Sequence, residues 1–414
     1  MKNIIYLIAF LSGSAVAANA NESLPLHHAV GCRDVEQVGK LLQDVATHDE
    51  TWGRSGDTAL HHAANIRNSS EIIKLLLQAG FDVNARNSIG ETPLHKVSGV
   101  ENARLLIESG ADVNAQDIHG ETPLHKVTEV RVCKLLIEAK ADVNDKENEG
   151  LTPLHLAYDA SIAAALIEAG ADVNARDNHG KTPLMQFCGM GGLLQDELPA
   201  VGSHRLSIIK CLLMQGADAN MRNNNGMAAL HYAAERGDRQ SAYYLILAGA
   251  DLSAADNAHE SVLQTARKGN HTKFAQMIEL HIKEPFSPER LLHRCASHGN
   301  ACGVQILLNR GVNPNAIAAG ITSPPLSAAI ISHSTSVVRA LLSAGADANW
   351  KNELGRSHLH HACQLNDVDI IRLLLEFCAD KDARDNAGLV PLDYVRTNLR
   401  EKIETLWEQP HARK

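Results

Sequence analysis

A six-residue phrase, Gly-x-Thr-Pro-Leu-His, returns along the chain at a nearly constant step, and that periodicity limits the fold more than any other feature. It stands complete at 90–95 and 120–125, and again at 150–155. Degenerate copies are Leu24-Pro25-Leu26-His27, Thr58-Ala59-Leu60-His61, Thr182-Pro183-Leu184, Ala228-Ala229-Leu230-His231, Leu291-Leu292-His293, Pro325-Leu326 and His358-Leu359-His360. A second phrase, Gly-Ala-Asp-Val-Asn, follows at 110–114 and 170–174, and in altered form at 345–349. From Gly56 the glycines step by 34, 30, 30, 30 and 46 residues to Gly226, and Gly355 and Gly388 lie 33 apart. A unit of that length buries its apolar face only against a neighbour, so stacking is obligatory.

The residues explain each unit. Thr caps a first helix and Pro takes its first position, where a missing N–H costs nothing. Leu opens an apolar stripe at helical spacing. A second helix carries a run such as Ile72-Ile73-Lys74-Leu75-Leu76-Leu77 and stops at Gly80, which accepts the left-handed conformation. Asp-Val-Asn and the following Asp/Asn-x-x-Gly make a turn-rich loop.

This pattern resembles the ankyrin repeat family from Leu24 to about Trp407. The resemblance implies an all-α fold: an ankyrin-repeat solenoid of stacked helix-turn-helix units with projecting β-turn loops. The units at Gly90, Gly120 and Gly150 are three residues short, which the Lys96-Val97-Ser98-Gly99 stretch places between the two helices. The unit after Gly180 carries an insertion near 189–204 at the same joint, where added length is cheap. The unit around Val262 lacks the second phrase and leads into Glu284-Pro285-Phe286-Ser287-Pro288. Lys140 and Cys378 replace the helix-ending glycine, at roughly 1 kcal/mol each if the left-handed geometry persists. The expected organisation is a signal peptide at 1–20, a repeat segment at 21–283, a break at 284–288, a second repeat segment with cap at 289–409, and a tail at 410–414.

The first twenty residues differ from the rest. Lys2 is a short positive region, Ile4 to Leu11 is mostly apolar, and Ala15-Val16-Ala17 and Ala18-Asn19-Ala20 carry the small residues that a signal peptidase reads. The apolar run is shorter than the roughly 18 residues needed to span a bilayer. Cleavage after Ala17 or Ala20 and a periplasmic or secreted location are expected, with no membrane association after cleavage.

Charge narrows the partners. Lys+Arg 39 against Asp+Glu 48 leaves a net −9, which argues against nucleic acid, because phosphate contacts need a clustered cationic surface. Eight cysteines form no CxxC pair, so zinc knuckles are excluded. Most occupy small core slots; export leaves room for one disulfide, with Cys188 and Cys211 the first candidates.

Eight of the 22 histidines (His27, His61, His95, His125, His155, His231, His293 and His360) share the slot after Leu. A recurring slot needs a recurring structural cause, and the resemblance implies that this imidazole ties neighbouring loops together. No metal, cofactor or catalytic residue is expected: the chain has no Gly-x-Ser-x-Gly elbow, Gly-rich phosphate loop or His-Glu-x-x-His. The resemblance implies a concave groove lined by the next residue, here His28, His62, Lys96, Lys126, Leu156, Gln186, Tyr232, Thr265, Arg294, Ala328 and His361. Its basic start predicts an acidic partner surface at His28, His62, Lys96 and Lys126, unless the two lysines merely neutralise Glu91 and Glu121. Tyr232 is a candidate aromatic anchor, and Trp350, in a loop slot that sister units fill with Ala, is a candidate hot spot. The reading is a non-enzymatic, monomeric protein–protein interaction scaffold. The alternative is an enzyme or toxin-like effector whose activity lies in the insertion after Cys188.

Overall fold

The computed structural model describes residues 25–43, 51–52, 55–190 and 199–408. The signal peptide and tail expected at the ends lie outside these residues, as does the middle of the insertion, 191–198. Helices and short turns make up nearly everything, and the chain divides into two compact units, residues 1–148 and 149–414. Each is all-α repeat solenoid.

The first unit holds α1 (Pro25–Cys32), α2 (Val35–Leu41), α3 (Ala59–Asn65) and α4 (Ser70–Gln78). A two-stranded ribbon, β1 (Thr51–Trp52) with β2 (Asp57–Thr58), precedes α3. After it come a 3-10 turn η1 (Pro93–Lys96), α5 (Val100–Glu108), a second turn η2 (Pro123–His125) and α6 (Val130–Glu138). The three-residue shortening therefore removes the last turn of the first helix. A single 3-10 turn remains, and in the first short unit an extended Val97 follows it.

The second unit opens with the turn η3 (Pro153–Leu156), α7 (Ala160–Glu168), α8 (Pro183–Gly189), α9 (Pro199–Met214), α10 (Ala229–Arg236) and α11 (Arg239–Leu247). It continues with α12 (Val262–Lys268), α13 (Thr272–Lys283), α14 (Pro288–Ser297), α15 (Ala301–Asn309), α16 (Pro325–Ile331) and α17 (Thr335–Ser343). The remaining elements are α18 (His358–Leu365), α19 (Val368–Glu376), η4 (Pro391–Tyr394) and α20 (Thr397–Glu408).

Leu at the second helical position is buried in unit after unit, as Leu60, Leu94, Leu154 and Leu326, and the second-helix residues Ile73, Leu106 and Leu166 are buried as well. Second helices end in the left-handed region at Gly80 (φ +92°) and Gly345 (φ +90°); Lys140 (φ +71°) and Cys378 (φ +61°) adopt it without glycine.

Stacking lapses once inside the second unit. Helix α12 packs on α10, but its partner α13 packs mainly on α12 itself, leaving Leu280 and Ile282 exposed. Helix α15 reaches past α13 to pack on α9 and α11. Arg310, just beyond α15, donates from Nη1 to the Leu247 carbonyl at 2.6 Å. Its guanidinium lies where a Cβ on Gly249 would come within 2.8 Å, so a side chain there would displace Arg310, and φ +86° itself favours glycine. The linker 284–288 lies beside this fault.

Candidate functional site

The recurrent histidine does the same work in successive units. The backbone N–H of Thr92 donates to His95 Nδ1 at 3.0 Å, and the Thr122 and Thr152 N–H groups donate likewise to His125 and His155. An Nδ1 that accepts carries no proton, so the proton sits on Nε2. His61 Nε2 then donates to the Glu91 carbonyl at 2.8 Å, His95 to Glu121 at 2.9 Å, and His360 to Leu389 at 3.2 Å, each in the next unit. Burial pushes the pKa of His61 and His95 down despite those carbonyls. The His61 and His95 rings are thus neutral pins whose two nitrogens are both used. His293 departs from the pattern: α14 begins at Pro288, three residues earlier than the histidine slot requires, and its buried Nε2 has no partner.

The Asn of the second phrase forms a parallel ladder that the sequence reading assigned only to a turn. Asn84 Oδ1 accepts from Asp112 N at 2.8 Å while its Nδ2 donates to the Gly110 carbonyl; Asn220 holds Asp251 and Gly249 in the same way, as Asn315 holds Asp347 and Gly345. The recurrence of Asn at one offset was the available signal. Ser253 takes its place at the fault.

The expected basic stripe is a paired one. Lys96 Nζ lies 2.6 Å from Asp57 and 3.6 Å from Glu91. Lys126 Nζ lies 2.7 Å from Glu91, 2.9 Å from Asp117 and 3.0 Å from Glu121. Both lysine side chains are only about one-quarter exposed, at 23% and 22%. Burial would raise the Asp57 and Glu91 carboxyls, yet bonds from Lys96 and Lys126 respectively hold them below their usual values. Burial likewise disfavours the Lys126 cation, but Glu91 and Asp117 push its pKa above that of an ordinary lysine. Four carboxylates around two ammoniums leave no free positive charge there. His28 is exposed, whereas His62 is half-buried and stacks on His27 with ring centroids 6.4 Å apart.

Neither aromatic candidate projects freely. Tyr232 is 8% exposed, and its hydroxyl accepts from Asn223 Nδ2 at 2.8 Å. Trp350 is half-buried and stacks on His358 at 5.4 Å. His358 in turn bonds the Ser327 hydroxyl at 2.9 Å through Nε2 and the Asp347 carbonyl at 3.1 Å through Nδ1. Burial lowers its pKa to about 4.

The Cys188–Cys211 bridge is not formed: each is a separate buried thiol, on α8 and α9 respectively. Burial pushes the Cys188 thiol up to about 12, so the thiolate needed for exchange or nucleophilic attack is strongly disfavoured. Among the described residues no group of three or more His, Cys, Asp or Glu is placed to hold a metal ion, and no helix is long and apolar enough to cross a membrane.

The family described as "Ankyrin repeats (3 copies)" matches residues 3–87, 26–117, 98–177, 124–194, 199–284 and 292–386. An ankyrin repeat protein of Rickettsia felis is 40% identical over 74 residues, 18% of this chain and 20% of the relative. Protein phosphatase 1 regulatory subunit 27 of Homo sapiens is 32% identical over 93 residues, 22% of this chain and 56% of the relative. An ankyrin repeat protein of Fowlpox virus is 37% identical over 144 residues, 33% of this chain and 40% of the relative. The chain thus spans between one-fifth and little more than half of these relatives' lengths.

Proposed function

The chain belongs to the ankyrin repeat family, and on that premise we propose that it is an exported, non-enzymatic protein–protein interaction scaffold, monomeric and acting through its variable groove and loop positions. One observation carries the reading: the recurrent His and Asn residues join one unit to the next, while the recurrent Thr and Gly residues shape the unit itself. What varies from unit to unit is a surface, and a varied surface on a rigid repeat is suited to recognising another protein.

Export rests on the Lys2, Ile4–Leu11 and Ala-x-Ala pattern. The exposed His28 remains a groove candidate, and Tyr232 and Trp350 contribute by holding the surface in shape. Lys96 and Lys126 attract an acidic partner only in so far as their carboxylate neighbours are displaced.

The test is capture from periplasmic and secreted fractions with the processed full-length protein, followed by titration with the purified captured protein. A saturable one-to-one complex is expected. Turnover of the captured molecule, or no captured protein, overturns the reading. Mass spectrometry of the exported protein should find a chain starting at Ala18 or Asn21; an intact Met1 removes the export proposal.

A further inference from the structure

The lapse in stacking opens a cleft of about 390 Å³ in the second unit, between the 284–288 linker, α14 and the loop at Ile321. Phe286 forms one wall, and Arg290, His293 and Arg294 of α14 form another. The Arg290 guanidinium stands 5.4 Å from the Phe286 ring centroid and that of Arg294 5.9 Å, so both cations lie within cation–π range of one aromatic ring. No carboxylate lies within ion-pair distance of either guanidinium among the described residues, although Glu284 and Glu289 are close in sequence and the chain carries a net −9.

That arrangement needs a cause. Two like charges one helical turn apart destabilise a helix slightly, and among the described residues no carboxylate pairs with them; only the Phe286 ring does. His293, like His231 of the same slot, has a buried Nε2 without a partner, whereas His61 and His95 reach a neighbouring carbonyl. Leu291 and Ile321 supply apolar walls. Guanidinium groups bind carboxylates in a planar, two-pronged way.

We propose that this cleft binds an acidic peptide segment of a partner protein, a Glu or Asp side chain held by Arg290 and Arg294 while an adjacent apolar residue lies against Phe286 and Ile321. The assignment rests on the reading of the chain as an interaction scaffold and names the partner's chemistry at one place on it. The cleft's size suits one or two side chains rather than a nucleic-acid strand.

The full-length processed protein is titrated by fluorescence anisotropy into a fluorescein-labelled nonapeptide of alternating Glu and Leu. A Gln-for-Glu nonapeptide and a nine-nucleotide oligothymidylate serve as comparison probes. Saturable binding of the Glu peptide is expected. It should weaken at least tenfold with the Gln peptide and with the Arg290→Gln/Arg294→Gln variant, and at least threefold with Phe286→Ala. Arg339→Gln, on the exposed face of α17, should leave it unchanged. Circular dichroism melting confirms that the variants fold, as the exposed positions of both arginines predict. Absent binding, equal binding of the Gln peptide, undiminished binding by the double variant, or displacement of the peptide by the oligonucleotide overturns the proposal. Because the probe is synthetic, failure here leaves the captured-partner test of the scaffold reading standing.

Discussion

Lys126 and Arg294 occupy the same slot, one residue after the recurrent histidine position, and meet opposite fates. Around Lys126 the regular 30-residue units bring Glu91, Asp117 and Glu121 within 3.0 Å of one ammonium. Around Arg294 the stack has lapsed, and the guanidinium faces an aromatic ring and an open cleft. The histidines differ in parallel: His95 is pinned by two backbone groups, and His293 Nε2 has no partner. Regular stacking uses up polar groups; its failure releases them. In a repeat protein, therefore, surface chemistry is best sought where the period breaks.

The largest expected effect tests the paired side of that contrast. Lys126→Met should destabilise the protein by about 3 kcal/mol, since it strands three part-buried carboxylates, whereas Arg294→Met should cost less than about 0.5 kcal/mol. Urea denaturation of the two variants measures both, and equal losses would dissolve the comparison.

Acid should act on the regular stack next. His358 has a folded pKa of about 4 against an ordinary 6.5, so its contribution is complete above pH 6.5 and is lost as the pH falls toward 4. The difference is on the order of 3 kcal/mol across that window. Replacing His358 with Gln should flatten the stability profile between pH 6.5 and 4 relative to the parent protein; identical profiles would mean that the buried ring does not titrate. Burial also lowers the pKa of His61 and His95, which adds to the acid loss with the same sign.

A matched pair sharpens the histidine contrast. His95→Phe removes the partners of Thr92 N and the Glu121 carbonyl and should cost about 2 kcal/mol, while His293→Phe should change stability by less than about 0.5 kcal/mol. Thermal melts at pH 7.5 separate them.

The fault itself depends on Arg310. Arg310→Ala should cost about 1 to 2 kcal/mol by freeing the Leu247 carbonyl, and calorimetry should show the transition broaden or divide as segments on either side of 284–288 melt apart. A single sharp transition in the variant would show that stacking stays cooperative across the linker. The smallest effect is a gain: Lys140→Gly should stabilise the first unit by about 1 kcal/mol, because glycine accepts φ +71° without the crowding of a Cβ.

Much of this was legible in the residues. The glycine spacing announced the units, Thr-Pro placed the first helices, and the recurrence of His in one slot announced a structural role before any bond was known. Lys140 and Cys378 were readable as left-handed residues because they stand where glycine otherwise ends a helix. These are local matters, decided by dihedral preference and hydrogen bonds within a few residues of one another.

Only the tertiary structure decided which polar groups remain available. Lys126 reads as a groove cation until stacking sets Glu91, 35 positions earlier, at 2.7 Å. Trp350 reads as a loop hot spot until it is found on His358, and Tyr232 as an anchor until its hydroxyl is found on Asn223. The packing of α15 past α13 frees the Phe286–Arg294 cluster, and no residue within that cluster signals it. Charge compensation acts across the distance between neighbouring units, and that distance is set by how apolar faces pack rather than by the order of residues along the chain.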